Sequence, residues 1–247
     1  MYFSRRNFLA GTAAAAAGLA TAAPASIAQG AKPKMDGVLK LSSQLAVIPG
    51  KTLEEKIAKM DKWGFDAVEL PGDIVGKEKT FKDAIKDTKL KFSAVCFGSM
   101  NGDLVSEDKA KRGPAAEKLK QVLASAGELE TTGVIYVPAF NGQTKLTNQE
   151  IRAILLDTLP AIGEHAVKVG TRLLLEPLNR NEAYFLRQVA DGASICRDCN
   201  SPGVCLMGDF YHMAIEETSA LGAFISAGPY LRHRSEEHTS ELQSHSF

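Results

Sequence analysis

The sequence predicts an α/β fold on a parallel sheet, and three observations carry that expectation. Short apolar runs of strand length alternate with amphipathic helical stretches from residue 38 to residue 233. Each strand–helix unit takes roughly 25 to 40 residues, enough for a crossover that returns the chain to the same end of the sheet. No linker rich in proline or glycine divides this stretch, so one folded domain is expected. Right-handed crossovers leave two architectures, an open doubly wound sheet or a closed barrel. No Gly-x-Gly-x-x-Gly follows the first strand, which weakens a dinucleotide-binding sheet. The unit lengths suit a barrel cut in its seventh unit.

Residues 38–42 form a first short strand. Thr52 and Glu55 then make a capping box, in which each side chain satisfies backbone at the start of the following helix. Leu53, Ile57, Met60 and Trp63 fall on one face of that helix and are expected in the core. Gly64 ends it, and residues 65–70 form the second strand, broken by Pro71-Gly72. A lysine-rich helix with a solvated face covers residues 79–88. The third strand spans 91–97, and residues 97–102 form a flexible loop at the mouth of the sheet. Pro114 suits the first turn of a helix running to residue 131. The fourth strand is 134–138. Thr147 and Glu150 form a second capping box, opening a helix to residue 169. The fifth strand is 172–176, with mostly helix over 182–198. The sixth is 203–208, followed by one helix over 211–226. A seventh strand starts at 230–233.

The 247 residues are 45% hydrophobic and 23% charged, which excludes a disordered, collagenous or multi-span membrane chain. Lys plus Arg number 29 and Asp plus Glu 29, so the net charge is zero and the bulk attraction expected of a nucleic-acid binder is missing. Four cysteines do not make a disulfide scaffold. Cys196-x-x-Cys199, with Cys205 nearby, offers too few clustered thiols for a zinc site. A Cys196–Cys199 disulfide stays open.

Both ends stand apart from this pattern. Ser4-Arg5-Arg6-Asn7-Phe8-Leu9 resembles a twin-arginine export signature, followed by an Ala-rich stretch over 10–23 and small residues at Ser26-Ile27-Ala28. Residues 1–28 are therefore expected to be a signal peptide recognised by the twin-arginine export machinery, with the mature chain periplasmic or secreted. A stable membrane anchor is disfavoured, because a spanning helix needs about 20 strongly apolar residues. Residues 234–247 lack any apolar period and resemble a translated sequencing adapter. They are read as a non-native tail, so the folded domain covers 29–233, the natural chain is expected to continue past His233, and His238 and His245 are not ligands.

Chemistry in a parallel α/β fold gathers at the carboxyl ends of the strands. There the apolar run Leu173-Leu174-Leu175 ends in Glu176, and Val204-Cys205-Leu206-Met207-Gly208 ends in Asp209. Neighbouring strands lie about 4.8 Å apart, so two such carboxylates are able to share one cation, although two ligands do not complete a site. The plainer readings are helix caps for Glu176 and Asp209, a half-buried helix-start residue for His212 and a first-turn glutamate for Glu182. The aromatic pair Phe210-Tyr211 is placed to wall a sugar pocket.

Leu175-Glu176-Pro177-Leu178-Asn179-Arg180-Asn181-Glu182, together with Gly208-Asp209-Phe210-Tyr211-His212, resembles the sugar phosphate isomerase/epimerase group of xylose isomerase-like barrels. Val68-Glu69-Leu70 also looks like that group, whose relatives include ketose 3-epimerases, hydroxypyruvate isomerase, inosose dehydratase and endonuclease IV. The resemblance implies a (β/α)8 TIM barrel, incomplete here after about six and a half units. It implies that Glu176 and Asp209 bind one divalent ion, Mn²⁺ or Mg²⁺, that Glu176 doubles as an acid–base group, and that Glu182 and His212 hold sugar oxygens. The group adds a metal-binding histidine near the seventh strand in a His-x-His context, then an arginine, and a second catalytic glutamate from the eighth strand. His233 fits the first histidine of that pair, whereas the ligand position holds Ser235. The arginine and glutamate have no counterpart, so the chain as given is expected to be inactive. The implied reaction removes a proton α to a sugar carbonyl, forms a metal-bound enediolate and returns a proton elsewhere. A keto-sugar dehydratase or lyase and a non-catalytic sugar-binding barrel are the alternatives. A repair nuclease fits poorly with export and neutral charge. The sugar and the oligomeric state, a homo-oligomer included, stay open.

Overall fold

The computed structural model describes residues 40–235. The expected signal peptide, and all of the expected tail except Arg234 and Ser235, lie outside the described residues. Seven parallel strands pair in chain order: β1 (Ser42–Gln44), β2 (Ala67–Pro71), β3 (Lys91–Gly98), β4 (Val134–Tyr136), β5 (Leu173–Leu175), β6 (Val204–Asp209) and β7 (Leu231–Ser235). The helices between them are α1 (Leu53–Trp63), α2 (Glu78–Ile85), α3 (Lys109–Glu128), α4 (Asn148–Lys168), α5 (Val189–Cys199), α6 (Phe210–Glu216) and α7 (Ala220–Ala227). Among the described residues no strand joins β7 back to β1, so the barrel is incomplete.

Side chains alternate across each strand, and this sorts the sheet into two faces. Ala94, Ile135, Leu174, Cys205 and Met207 pack together as one buried layer on the inner face. Their neighbours Val95, Val134, Tyr136, Leu173, Leu175, Val204 and Leu206 belong to the larger core between strands and helices. Strands buried on both faces read as continuous apolar runs, as Leu173-Leu174-Leu175 does. The sheet curls far enough that Glu69 on β2 and His233 on β7, on strands that do not pair, come within 3.6 Å.

Several boundaries differ from the sequence expectation, each for a local reason. β1 forms at Ser42–Gln44, later than 38–42. In α1, Thr52 caps Glu55 as expected, but the Glu55 carboxylate bonds the Lys51 N–H at 2.7 Å. Ile57 and Met60 are buried, whereas Trp63 is 53% exposed rather than in the core. At 3.6 residues per turn, two successive i+3 steps rotate a side chain by about 120°, which carries Trp63 off the buried stripe of Ile57. α2 keeps its lysines in solvent, with Lys82 paired to Glu128 at 2.9 Å. α3 begins at Lys109 because Asp108 caps it, accepting from Ala110 N–H at 3.0 Å. Pro114 therefore sits in the second turn instead of the first. The second capping box forms fully, with Glu150 N–H to Thr147 Oγ1 at 3.3 Å and Thr147 N–H to Glu150 Oε2 at 2.8 Å.

The helix expected over 182–198 begins only at Val189, so Glu182 lies in the β5–α5 loop and not in a first helical turn. The single helix expected over 211–226 is two. Glu217 turns extended and its carboxylate accepts from the N–H of Val189 at 2.8 Å, and Ser219 then starts α7 by accepting from Gly222 N–H at 3.1 Å. Of the loop expected over 97–102, Phe97 and Gly98 still belong to β3, and a tight turn follows in which Met100, Asn101 and Gly102 all have positive φ. No disulfide links the cysteines among the described residues. Cys196 and Cys199 are three apart on α5 and both are buried. Burial pushes the Cys199 thiol up to about 11. No helix among the described residues is long and apolar enough to cross a membrane.

Helix α4 lies against the entry to β6 with no space between the two backbones. A Cβ at Gly203 would stand 2.0 Å from the Gly163 carbonyl oxygen, and neither side is a flexible side chain. Gly203→Ala should therefore lower stability by about 3 kcal/mol, measured as a shift in the urea midpoint. An unchanged midpoint would show that α4 does not approach β6 this closely.

Candidate functional site

The inner layer that contains Leu174, Cys205 and Met207 fixes where the strand ends present their polar groups. Two residues beyond Leu174 stands Glu176, and two beyond Met207 stands Asp209, so alternation puts both carboxylates on the inner face. Leu175 pairs with Leu206, which places Glu176 level with Met207 and Asp209 two residues further on, about 6.6 Å along the strand. Both are buried. The Glu176 N–H donates to Tyr136 O at 3.1 Å, extending the ladder one residue past β5.

Asp209 realises the plainer reading, a helix cap. Its Oδ1 accepts from Tyr211 N–H at 2.7 Å and His212 N–H at 3.3 Å and so caps α6. Its Oδ2 accepts a hydrogen bond from the Ser235 hydroxyl. In β7, Ser235 pairs with Asp209 and His233 with Met207, so position 235 adjoins the Asp209 carboxylate.

His212 and Glu182 are brought together by a residue to which the sequence had given no role. Asn179 is fully buried, and its Nδ2 donates to Glu182 Oε1 at 2.8 Å and to His212 Nδ1 at 2.9 Å. His212 is itself buried, while the Glu182 side chain is 39% exposed, so this chain of contacts leads from the interior to the mouth. Val137, Leu178 and Ala183 pack into a small apolar cluster that seats the loop over the strand ends. Phe210 turns to Phe224, with ring centroids 5.4 Å apart, and Tyr211 packs at 5.2 Å from the His212 ring.

Two further pairs went unassigned in the sequence. Glu69, a charged residue in the middle of an apolar strand, lies 3.6 Å from His233. That break in the apolar run was the available signal. Glu216, at the end of α6, accepts from the Arg180 N–H and Nε, both at 2.7 Å, and Arg187 Nε lies 3.8 Å from it. Nothing local marks Glu216. Burial alone would raise its pKa, but the Arg180 guanidinium and N–H, with Arg187, outweigh burial and hold the carboxyl below the ordinary value.

In chemical type, two inner-face carboxylates suit a hard divalent cation. In number they fall short: no group of three or more His, Cys, Asp or Glu side chains gathers as a metal site among the described residues. These residues therefore do not complete a metal centre.

Parallel βα units with carboxylates at the strand ends define a barrel of the kind that carries its chemistry at the carboxyl-terminal mouth. The xylose isomerase-like TIM barrel family matches residues 57–234, and the chain belongs to that family. It is 28% identical over 191 residues to the 3-dehydro-D-guloside 4-epimerase of Escherichia coli K12, which covers 72% of this chain and 71% of that protein. It is 28% identical over 190 residues to the D-psicose 3-epimerase of Agrobacterium fabrum, covering 72% of this chain and 64% of the relative. Among solved structures, the apo 3-keto-D-glucoside 4-epimerase of E. coli superposes with a TM-score of 0.71 at 26% identity, over 80% of this chain and 77% of that one. A D-psicose 3-epimerase structure obtained in the presence of D-fructose gives 0.72 at 24% identity, over 81% and 74%, a likeness of fold. The relatives are thus sugar epimerases.

Because Glu216 is held below its unfolded pKa, the stability it contributes is present above the ordinary carboxylate range and lost as pH falls through the folded value. Unfolding midpoints measured from pH 6 down to about pH 3 should fall less steeply in Glu216→Gln than in wild type. Identical slopes would remove the Arg180–Glu216 pair from the acid limb.

Proposed function

We propose that this chain is the main part of a sugar epimerase that inverts a carbon next to a carbonyl. The names of the two sequence relatives share that chemistry: C4 beside a 3-keto group in one, and C3 of a 2-ketose in the other. The observation that supports the reading is the placement of Glu176 and Asp209 at the carboxyl ends of adjacent strands, with the His212–Asn179–Glu182 cluster built from the two segments that follow those strands.

A hydrogen on the carbon beside a carbonyl becomes removable when the oxygen that gains charge is stabilised. Glu176, buried at the barrel mouth, is proposed to take that proton. Inversion needs the proton returned to the opposite face, so a second acid must face Glu176 across the sugar. That group is expected from a strand following β7. His212 and Glu182 would hold sugar hydroxyl or carbonyl oxygens, one as donor and one as acceptor, which fixes the carbon to be inverted. A divalent ion, Mn²⁺ or Mg²⁺, with Glu176 and Asp209 among its ligands, would when bound polarise the substrate carbonyl. Position 235 beside Asp209 is where a third ligand would stand. Because it is serine here, the 247-residue chain is proposed to be inactive by itself. Residues 1–28 would direct the protein through the twin-arginine machinery to the periplasm or beyond.

In the full-length enzyme, Glu176→Gln should reduce solvent-deuterium incorporation into a ketose by about 10² to 10⁴, the span of general acid–base catalysis. Wild-type exchange in that variant would sink the role given to Glu176. Mass analysis of the product separates the rivals: epimerisation conserves the sugar's mass and a dehydratase removes one water. A non-catalytic sugar-binding barrel would bind the sugar and exchange no deuterium.

A further inference from the structure

We propose that Asn179 is the positioning residue of this site. Its buried amide fixes His212 as the tautomer protonated on Nε2 and holds Glu182 beside it, so that a sugar meets a donor and an acceptor already set. The inference rests on the sugar-binding reading of His212 and Glu182.

The argument begins with the amide. Asn179 is fully buried, and a buried amide must satisfy both its oxygen and its NH₂ group. The Asn181 N–H donates to Oδ1 at 2.9 Å, which fixes the end of the side chain that is oxygen. The NH₂ group is therefore the end that meets Glu182 Oε1 at 2.8 Å and His212 Nδ1 at 2.9 Å. The backbone N–H of Asn179 also points at Nδ1, at 3.3 Å. A ring nitrogen facing two N–H donors presents its lone pair to them, and a neutral imidazole then carries its proton on Nε2.

Glu182 depends on the same amide. Its Oε1 lies 3.7 Å from His212 Nδ1, and two acceptors stay this close only with a donor between them. The Asn179 backbone is held in turn. Its carbonyl accepts from the N–H groups of Glu182 and Ala183, both at 3.0 Å. The next residue, Arg180, is tied to Glu216 on α6, the helix that carries His212. The amide is thus locked from both sides, as a group that orients other groups must be.

Asn179→Asp tests this with almost no change of shape. It replaces the donor by a second acceptor, which asks for a proton on Nδ1 and repels Glu182. The probe is long-range ¹H–¹⁵N correlation on the full 247-residue chain labelled at histidine, with the His212 signals assigned by their loss in His212→Gln. Wild type should show a protonated Nε2 and a bare Nδ1. Asn179→Asp should move the proton to Nδ1 and weaken D-fructose binding about tenfold, with the thermal midpoint recorded as a folding control. In a His212→Gln background, where an amide NH₂ replaces the ring donor, Asn179→Asp should weaken binding by less than in wild type. A wild-type His212 protonated on Nδ1, or a ring unchanged by a folded Asn179→Asp protein, overturns the proposal. If the tautomers behave as stated but wild type binds no ketose, the positioning stands and the sugar reading fails.

Discussion

Parallel pairing from β1 to β7, with side chains alternating between two faces, is the constraint on which this molecule depends. It obliges the inner face to fill itself, which Ala94, Ile135, Leu174, Cys205 and Met207 do. It also delivers whatever follows two residues later to the mouth. Carboxylates at Glu176 and Asp209 thus emerge at the end of a dry, packed column where the surrounding dielectric is low. Charges held there interact far more strongly with a neighbouring cation, proton or substrate dipole than the same charges would on a surface. The curl of the sheet follows from the twist and stagger of the same pairing and brings β2 close enough to β7 for Glu69 to approach His233.

A buried polar site is stable only if its members are satisfied, and here the satisfaction is shared between elements. Asp209 divides its oxygens, giving Oδ1 to the start of α6 and Oδ2 to Ser235. The cap fixes the orientation of the carboxylate, so one contact serves both helix formation and site geometry. The β5–α5 loop is treated similarly. Asn141 donates from its Nδ2 to the carbonyls of Arg180 and Asn181, and from its backbone N–H to Glu182 O at 2.7 Å. Glu216 closes the other side through Arg180. The loop is held by polar contacts on both flanks and by the Val137–Leu178–Ala183 cluster beneath it.

One barrel family hosts many reactions, so membership bounds the function and the site must narrow it. Narrowing comes from the position of the acids relative to the hydrogen-bonding cluster. Glu176 and Asp209 lie on adjacent strands, while Glu182 and His212 belong to the two segments that follow those strands. Ser235 in β7 adjoins Asp209, and among the described residues no third metal-binding side chain joins the two carboxylates.

The sequence by itself determined the order of strands and helices, the two carboxylates at strand ends and the motif residues of the β5–α5 loop. These rest on local signals: apolar period, caps, and the residue at which an apolar run stops. The same signals placed Trp63 inside and merged α6 with α7, because periodicity does not say which edge of a helix is covered or when a side chain such as Glu217 leaves to cap another helix. Only the tertiary structure decided that Asn179 lies between Glu182 and His212, that Arg180 meets Glu216 and that Glu69 meets His233. The first two of these join residues 33 and 36 positions apart. Such contacts depend on crossover helices and on the curl of the sheet, which bring side chains together through space with no periodic trace along the chain.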